Sequence, residues 1–268
     1  MPEDTSHIYL NNLLYSCVDQ KQRGNEQFVH EHSLGYVIAG ETHLLTNEGT
    51  RIIPAGSIGL ARRNQLVKSL KIPPPDGIYR AVNIHLTQDF LRRYSIENKI
   101  GPVGRYEGEH MHPLPRDPFL IGYFNSLLPY FTENIKPSDT MSELKTKEAV
   151  ELLLQIDPSL KNFLFDFSEP GKIDLEAYMN QNYTYNVSSA QFAKLTGRSL
   201  ASFKRDFERI FNTPPGQWLQ QKRLAEAYYL IKEKGRKSSD VYLDVGFENL
   251  SHFSYAFKNA YGVAPSMV

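Results

Sequence analysis

Lys204 and Arg205 stand together in SLASFKRDFERIF, residues 199–211. Leu200, Phe203, Phe207 and Ile210 recur there at helical spacing and predict an inward face. Ala201, Ser202, Lys204, Arg205 and Glu208 then face outward. An arginine fork so placed can hold O6 and N7 of one guanine together, and Lys204 is the next candidate for a base. Lys194 and Arg198, just upstream, suit phosphates, which position a protein on DNA without reading sequence.

A second stretch, GFENLSHFSYAFKNAYG at 246–262, repeats the plan with almost no charge. Phe253, Ala256 and Phe257 form a narrow inward stripe. Leu250, Ser251, His252, Ser254 and Tyr255 are left for base edges, and Lys258 for phosphate. In both stretches a short helix precedes a glycine turn, Gly197 or Gly246, and a polar cap follows, Ser199 or Asn249. Aromatics four apart come next, then a residue suited to left-handed backbone, Asn212 or Gly262. That echo predicts two helix-turn-helix units, about 188–211 and 238–260, with one long helix at 215–233 between them. The competing reading is an all-helical domain that binds protein.

These residues carry a specific resemblance. Residues 187–268 resemble the DNA-binding domain of the AraC/XylS family of bacterial transcription regulators. The matching features are Ser199-Leu200, Phe203, Arg205, Phe207, Trp218-Leu219, Arg223-Leu224, Ala227 and Leu230. They continue through Gly246-Phe247, Ser251, Phe253, Phe257-Lys258, Gly262 and Pro265. The resemblance implies recognition helices in successive major-groove segments, roughly 34 Å apart. It also implies promoter DNA and RNA polymerase as partners. Ser238 and Tyr242 depart from the family, which usually has an apolar residue and an alanine there. The bulk of Tyr242 predicts different packing in the second unit.

Other chemistry is thin. Gly24, then five residues, then His30-Glu31-His32 open a cupin-like metal motif, and Gly49 with Pro54-Ala55-Gly56 resembles its second half. The remaining ligand positions hold Tyr36 or Val37 and Gly59, so a site would need His43 or His85. The expectation is an ordinary histidine pair, no metal and no cofactor. No GxSxG, P-loop, HExxH or CxxC occurs, which argues against an enzyme, with a cupin metalloenzyme as the least favoured alternative. Arg62-Arg63 reads as a solvated strand end, with anion binding as the alternative.

Around these sites the chain divides. Short runs rich in Val, Ile, Leu and Tyr between 28 and 86, beginning with FVHEH, predict a small β-sandwich or barrel. The strand pattern and the Pro54-Ala55-Gly56 turn resemble the cupin-like sensor domains of AraC-family regulators, which implies a cupin-like β-barrel. Helical periods follow at 87–98, 117–134, 139–156 and 158–167, and Glu169-Pro170-Gly171 breaks the chain. The expectation is an α+β protein of two domains. Residues 1–168 would be a sensor with a helical dimerisation segment, and 169–268 an all-α double helix-turn-helix domain. Net charge is zero, yet residues 171–268 carry 13 Lys+Arg against 9 Asp+Glu, the modest bias expected of a DNA-binding part. No apolar run approaches the ~20 residues that span a bilayer. MPEDTSHIYLNN lacks the order of a secretory leader. Cys17 stands alone, so the expected setting is the cytoplasm. The sequence thus predicts a homodimeric, DNA-binding transcription activator. Its amino-terminal domain would answer a small molecule or, alternatively, a partner protein.

Overall fold

The computed structural model describes residues 7–24, 27–46, 49–104, 106–133 and 135–268. It forms two compact units that divide between Ser168 and Glu169.

The amino-terminal unit is built on a six-stranded antiparallel sheet. Its strands are, in spatial order, β1 (His7–Leu10), β2 (Leu13–Val18), β11 (Tyr79–Leu86), β5 (His32–Ala39), β8 (Ile58–Ala61) and β12 (Met111–Leu114). A four-stranded sheet follows the order β3 (Gln22–Arg23), β10 (Lys68–Ile72), β6 (Glu41–Thr46) and β7 (Gly49–Pro54). β4 (Phe28–Val29) pairs only with β9 (Gln65–Leu66). Strands fill most of the span expected between 28 and 86, but among the described residues they close no barrel. β1 and β12 end one sheet, and β3 and β7 end the other. β1, β2 and β12 lie outside the span read as strands, and β2 pairs with β11 inside the larger sheet.

Alternation explains the layering. On one face of the larger sheet, Leu13, Leu34, Leu60, Val82 and Ile84 are fully buried. They pack on α1 (Gln88–Asn98), α2 (Pro118–Thr132), α3 (Asp139–Ile156) and the short α4 (Lys161–Leu164), mainly through Leu91, Phe124, Leu127, Val150, Leu153 and Phe163. On β5 and β8 the other face carries small residues, with Gly35 opposite Gly59 and Ser33 opposite Ala61, while Asn83 and His85 of β11 line the same side. With so little side chain to fill it, a cavity of about 610 Å³ opens beyond this face, lined also by Leu44 and Ile53 from the smaller sheet. α3 turns a partly polar face inward. Asn11 donates to Ser142 Oγ (2.7 Å) and Asn12 to Thr146 Oγ1 (2.9 Å), so the β1–β2 turn docks on it. Leu144 on the same helix points out, 54% exposed.

Two local expectations change. FVHEH is not one strand, because the chain breaks between Val29 and His32. The alternation that would aim His30 and His32 alike is lost. His30 lies edge-on to Phe28 (4.4 Å) and lines the cavity, whereas His32 is buried against Phe163 (4.8 Å). Arg62-Arg63 is no solvated end. Arg62 pairs with buried Asp166 at 2.7 Å, and Arg63, itself buried, donates to the Ser168 carbonyl at 2.9 Å.

The carboxyl-terminal unit is helical: α5 (Leu175–Asn182), α6 (Ser189–Leu195), α7 (Leu200–Phe211), α8 (Pro215–Lys232), α9 (Ser238–Asp244) and α10 (Leu250–Tyr261). α8 carries an aromatic cluster at each end. Trp218 meets Phe207 and Phe211 at 5.5 and 4.6 Å. Leu224, Ala227 and Ile231 pack with Phe247, Phe253 and Phe257.

Candidate nucleic-acid interface

The α6-turn-α7 unit is fixed by its ends. Ser188 and Gln191 form a reciprocal capping box on α6. Gly197 turns the chain at φ +66°, and a Cβ there would lie 2.3 Å from the Gly171 carbonyl carbon, so only glycine fits beneath the incoming chain. Ser199 accepts from the Ser202 N–H and caps α7, and Asn212 ends it in left-handed backbone. In the α9-turn-α10 unit, Asn249 accepts from the N–H groups of Ser251 and His252, and Gly262 takes the left-handed end. The caps and stops read from sequence are those observed.

The two second helices align through their buried phenylalanines, all fully inaccessible: Phe203 and Phe207 in α7, Phe253 and Phe257 in α10. Lys204 then corresponds to Ser254, Arg205 to Tyr255 and Asp206 to Ala256. On α7, Ala201, Lys204, Arg205 and Glu208 are exposed, and Ser202 is half-buried with its hydroxyl against that of Ser199. On α10, Leu250, Ser251, His252, Tyr255 and Lys258 are exposed and Ser254 is half-buried. Tyr255 is 68% exposed, a large aromatic ring held in solvent by a well-formed helix.

One sequence expectation is corrected, and two other residues have defined surroundings. Leu200 does not face inward. It occupies the first position of α7, before the buried stripe begins, and is 42% exposed, as Leu250 is in α10. Arg198, read as a phosphate contact, is engaged within its own unit. Its guanidinium pairs with Asp206 (3.2 Å) and donates to the carbonyls of Thr196 (2.7 Å) and Ile173 (3.0 Å). That guanidinium holds the Asp206 carboxyl below the usual carboxylate range. Tyr242 is half-buried against the second cluster, its ring tilted over Phe253 at 6.4 Å. Lys194 is exposed, with Glu169 3.8 Å away.

Two features escaped the sequence reading. Lys232, Lys234, Arg236 and Lys237 are exposed between α8 and α9, and the signal was their clustering in IKEKGRK. Arg236 pairs with Asp244 at 2.5 Å. The other feature is Arg223, half-buried in the middle of α8, whose guanidinium reaches three backbone carbonyls. Burial lowers its pKa to about 10, with the nearby Glu248 carboxylate opposing, so it stays cationic at neutral pH. No charge pattern could announce it, since its partners are backbone oxygens.

Two helix-turn-helix units on one connecting helix, each with an inward aromatic pair and a free outer face, define a DNA-binding regulator. The comparisons agree. Residues 192–268 match the helix-turn-helix domain family, and residues 32–164 match the ExsA N-terminal regulatory domain family. The HTH-type transcriptional regulator ExsA of Pseudomonas aeruginosa is 21% identical over 244 residues, covering 88% of this chain and 85% of that one. The virulence regulon transcriptional activator VirF of Yersinia enterocolitica is 25% identical over 158 residues, 56% of this chain and 58% of that one. The crystal structure of ToxT from Vibrio cholerae aligns over 96% of both chains at 15% identity and a TM-score of 0.47. The chain belongs to the AraC family of transcription regulators.

Among the described residues, no helix is long and apolar enough to cross a membrane. No group of three or more His, Cys, Asp or Glu could hold a metal among them.

Proposed function

We propose that this protein is a cytoplasmic activator that reads promoter DNA through α7 and α10 and answers a small molecule held by its amino-terminal unit. The observation that carries the DNA reading is the matched pair of helices, each with two phenylalanines fully buried and the intervening face exposed. Arg205 and Lys204 supply base contacts on the first box, helped by Ala201 and Ser202. Leu250, Ser251, His252, Ser254 and Tyr255 read the second by shape and apolar contact. Lys194, Lys258 and the cations between α8 and α9 serve phosphates.

The cavity of about 610 Å³ beside the larger sheet supports a small-molecule signal over a partner protein. Its size falls within the range of ligand pockets, and apolar walls with a few polar groups are what such pockets present. Exposed Phe119 on α2 and Leu144 on α3 support the helical segment as a dimer surface. Contact with RNA polymerase belongs to the same reading. A signal would act by shifting populations between states of the protein that differ in affinity for DNA.

Selection of genomic DNA fragments by the full-length protein, beside a Lys204→Ala/Arg205→Ala variant, tests the DNA reading. A shared sequence recovered by the native protein and lost by the variant is the expected result. Equal recovery by both would remove α7 from the interface. Mass analysis of molecules released on denaturing the purified protein tests the signal.

A further inference from the structure

Two helix-turn-helix units joined by one helix must hold a fixed mutual orientation if both are to enter grooves of the same duplex. α8 sets their separation along its axis. Its apolar contacts split into two clusters, one around Trp218 and one around Leu224, Ala227 and Ile231. Arg223 falls between the clusters.

Its guanidinium ties the segment that precedes the first unit to the turn of the second. Nε donates to the Tyr183 carbonyl (2.7 Å) and Nη2 to the Tyr185 carbonyl (2.8 Å), both in the segment that leads from α5 into the first unit. Nη1 donates to the Gly246 carbonyl (3.0 Å), in the turn of the second unit. Gly246 sits at φ +95°, and a Cβ there would come within 2.6 Å of the Thr184 carbonyl oxygen, so the two backbones meet with no room for a side chain. Beside them the Asn186 amide donates to Glu248 Oε1 at 2.5 Å. A planar fork fixes directions as well as distances, which the ammonium of a lysine cannot do.

Resting on the proposed reading of DNA by both helices, we infer that Arg223, with Asn186 beside it, is a positioning residue. It locks the angle between α7 and α10 and thereby sets the spacing between the two DNA boxes that the protein accepts. Arg223 itself need touch no DNA.

The test uses the full chain and duplexes built from the selected site. In one series the boxes stand at their native spacing or one base pair nearer or farther. In a second duplex one box is scrambled. Each added base pair turns the second box by about 34° and moves it about 3.4 Å. The native protein should lose roughly tenfold in affinity at either altered spacing. Arg223→Lys and Arg223→Met should flatten that profile to about threefold or less while single-box affinity stays within about twofold of native. A variant profile as steep as the native one would overturn the inference. So would an equal loss on single and paired boxes, the sign of a general folding role. Should both variants fail to unfold cooperatively, Asn186→Ala carries the test: partial flattening is expected, and an unchanged profile overturns it. Indifference of the native protein to spacing would instead sink the two-helix reading, and the inference with it.

Discussion

Arg198 and Arg205 lie in the same helix-turn-helix unit, and the structure gives them opposite surroundings. Arg198 is enclosed by Asp206 and two carbonyls, whereas Arg205 has its fork in solvent. Arg205→Ala should therefore weaken the preferred DNA site by ~1–3 kcal/mol and relax one base position, measured by titrating duplexes randomised one position at a time. Lys194→Ala should weaken all sequences alike and lower the salt slope by about one. An unchanged preferred site in the Arg205 variant would misplace α7. The exposure of Lys204 and Arg205 was legible because helical period alone decides which way a mid-helix residue faces. The enclosure of Arg198 was not, because a turn has no period and its partners come from three separate segments.

Helices and their ends were the most legible elements. Ser199, Asn249, Asn212 and Gly262 announce caps and stops by local backbone chemistry, which acts within a few residues. Asn249→Ala removes an acceptor shared by two N–H groups and should cost ~1 kcal/mol in denaturant unfolding of the carboxyl-terminal unit. A loss confined to α10 binding, with stability unchanged, would mean that the cap serves DNA rather than the helix. Strands were less legible. β2 is LLYSCV, whose Ser16 and Cys17 weaken the apolar signal, yet pairing with β11 places it inside the sheet. The cavity was unreadable for a related reason. Gly35, Gly59 and Ala61 look like weak strand residues, and only their registry on one face shows that together they leave space.

At the scale of the whole molecule, acid should act through His32. The Arg63 N–H donates to His32 Nδ1 at 3.3 Å, an acceptor role that the neutral ring can fill. Burial, then the charges of Arg63 and Arg62, lower its pKa to about 3, with Asp166 opposing. The unfolded chain takes up a proton near pH 6.5 that the folded one refuses until about 3. Stability is thus fully present above about pH 6.5 and is lost as pH falls through that window, by about 2 kcal/mol at pH 5. Thermal unfolding from pH 8 to 5 should show this for the amino-terminal unit, and His32→Asn should remove it. An equal slope in the variant would assign the effect to other groups.

The pairing of Arg205 with Tyr255 at equivalent helix positions carries one more consequence. Cations condensed along a duplex are released in proportion to the charge a protein brings, so on the proposed reading the first box would be held partly by an ionic exchange that the second scarcely makes. α10 offers no cation before Lys258. On the proposed reading of DNA, rising ionic strength should weaken the first box more than the second, measured by titrating single-box duplexes at two salt concentrations. The relative weight of the two boxes would then follow the ionic strength around the protein.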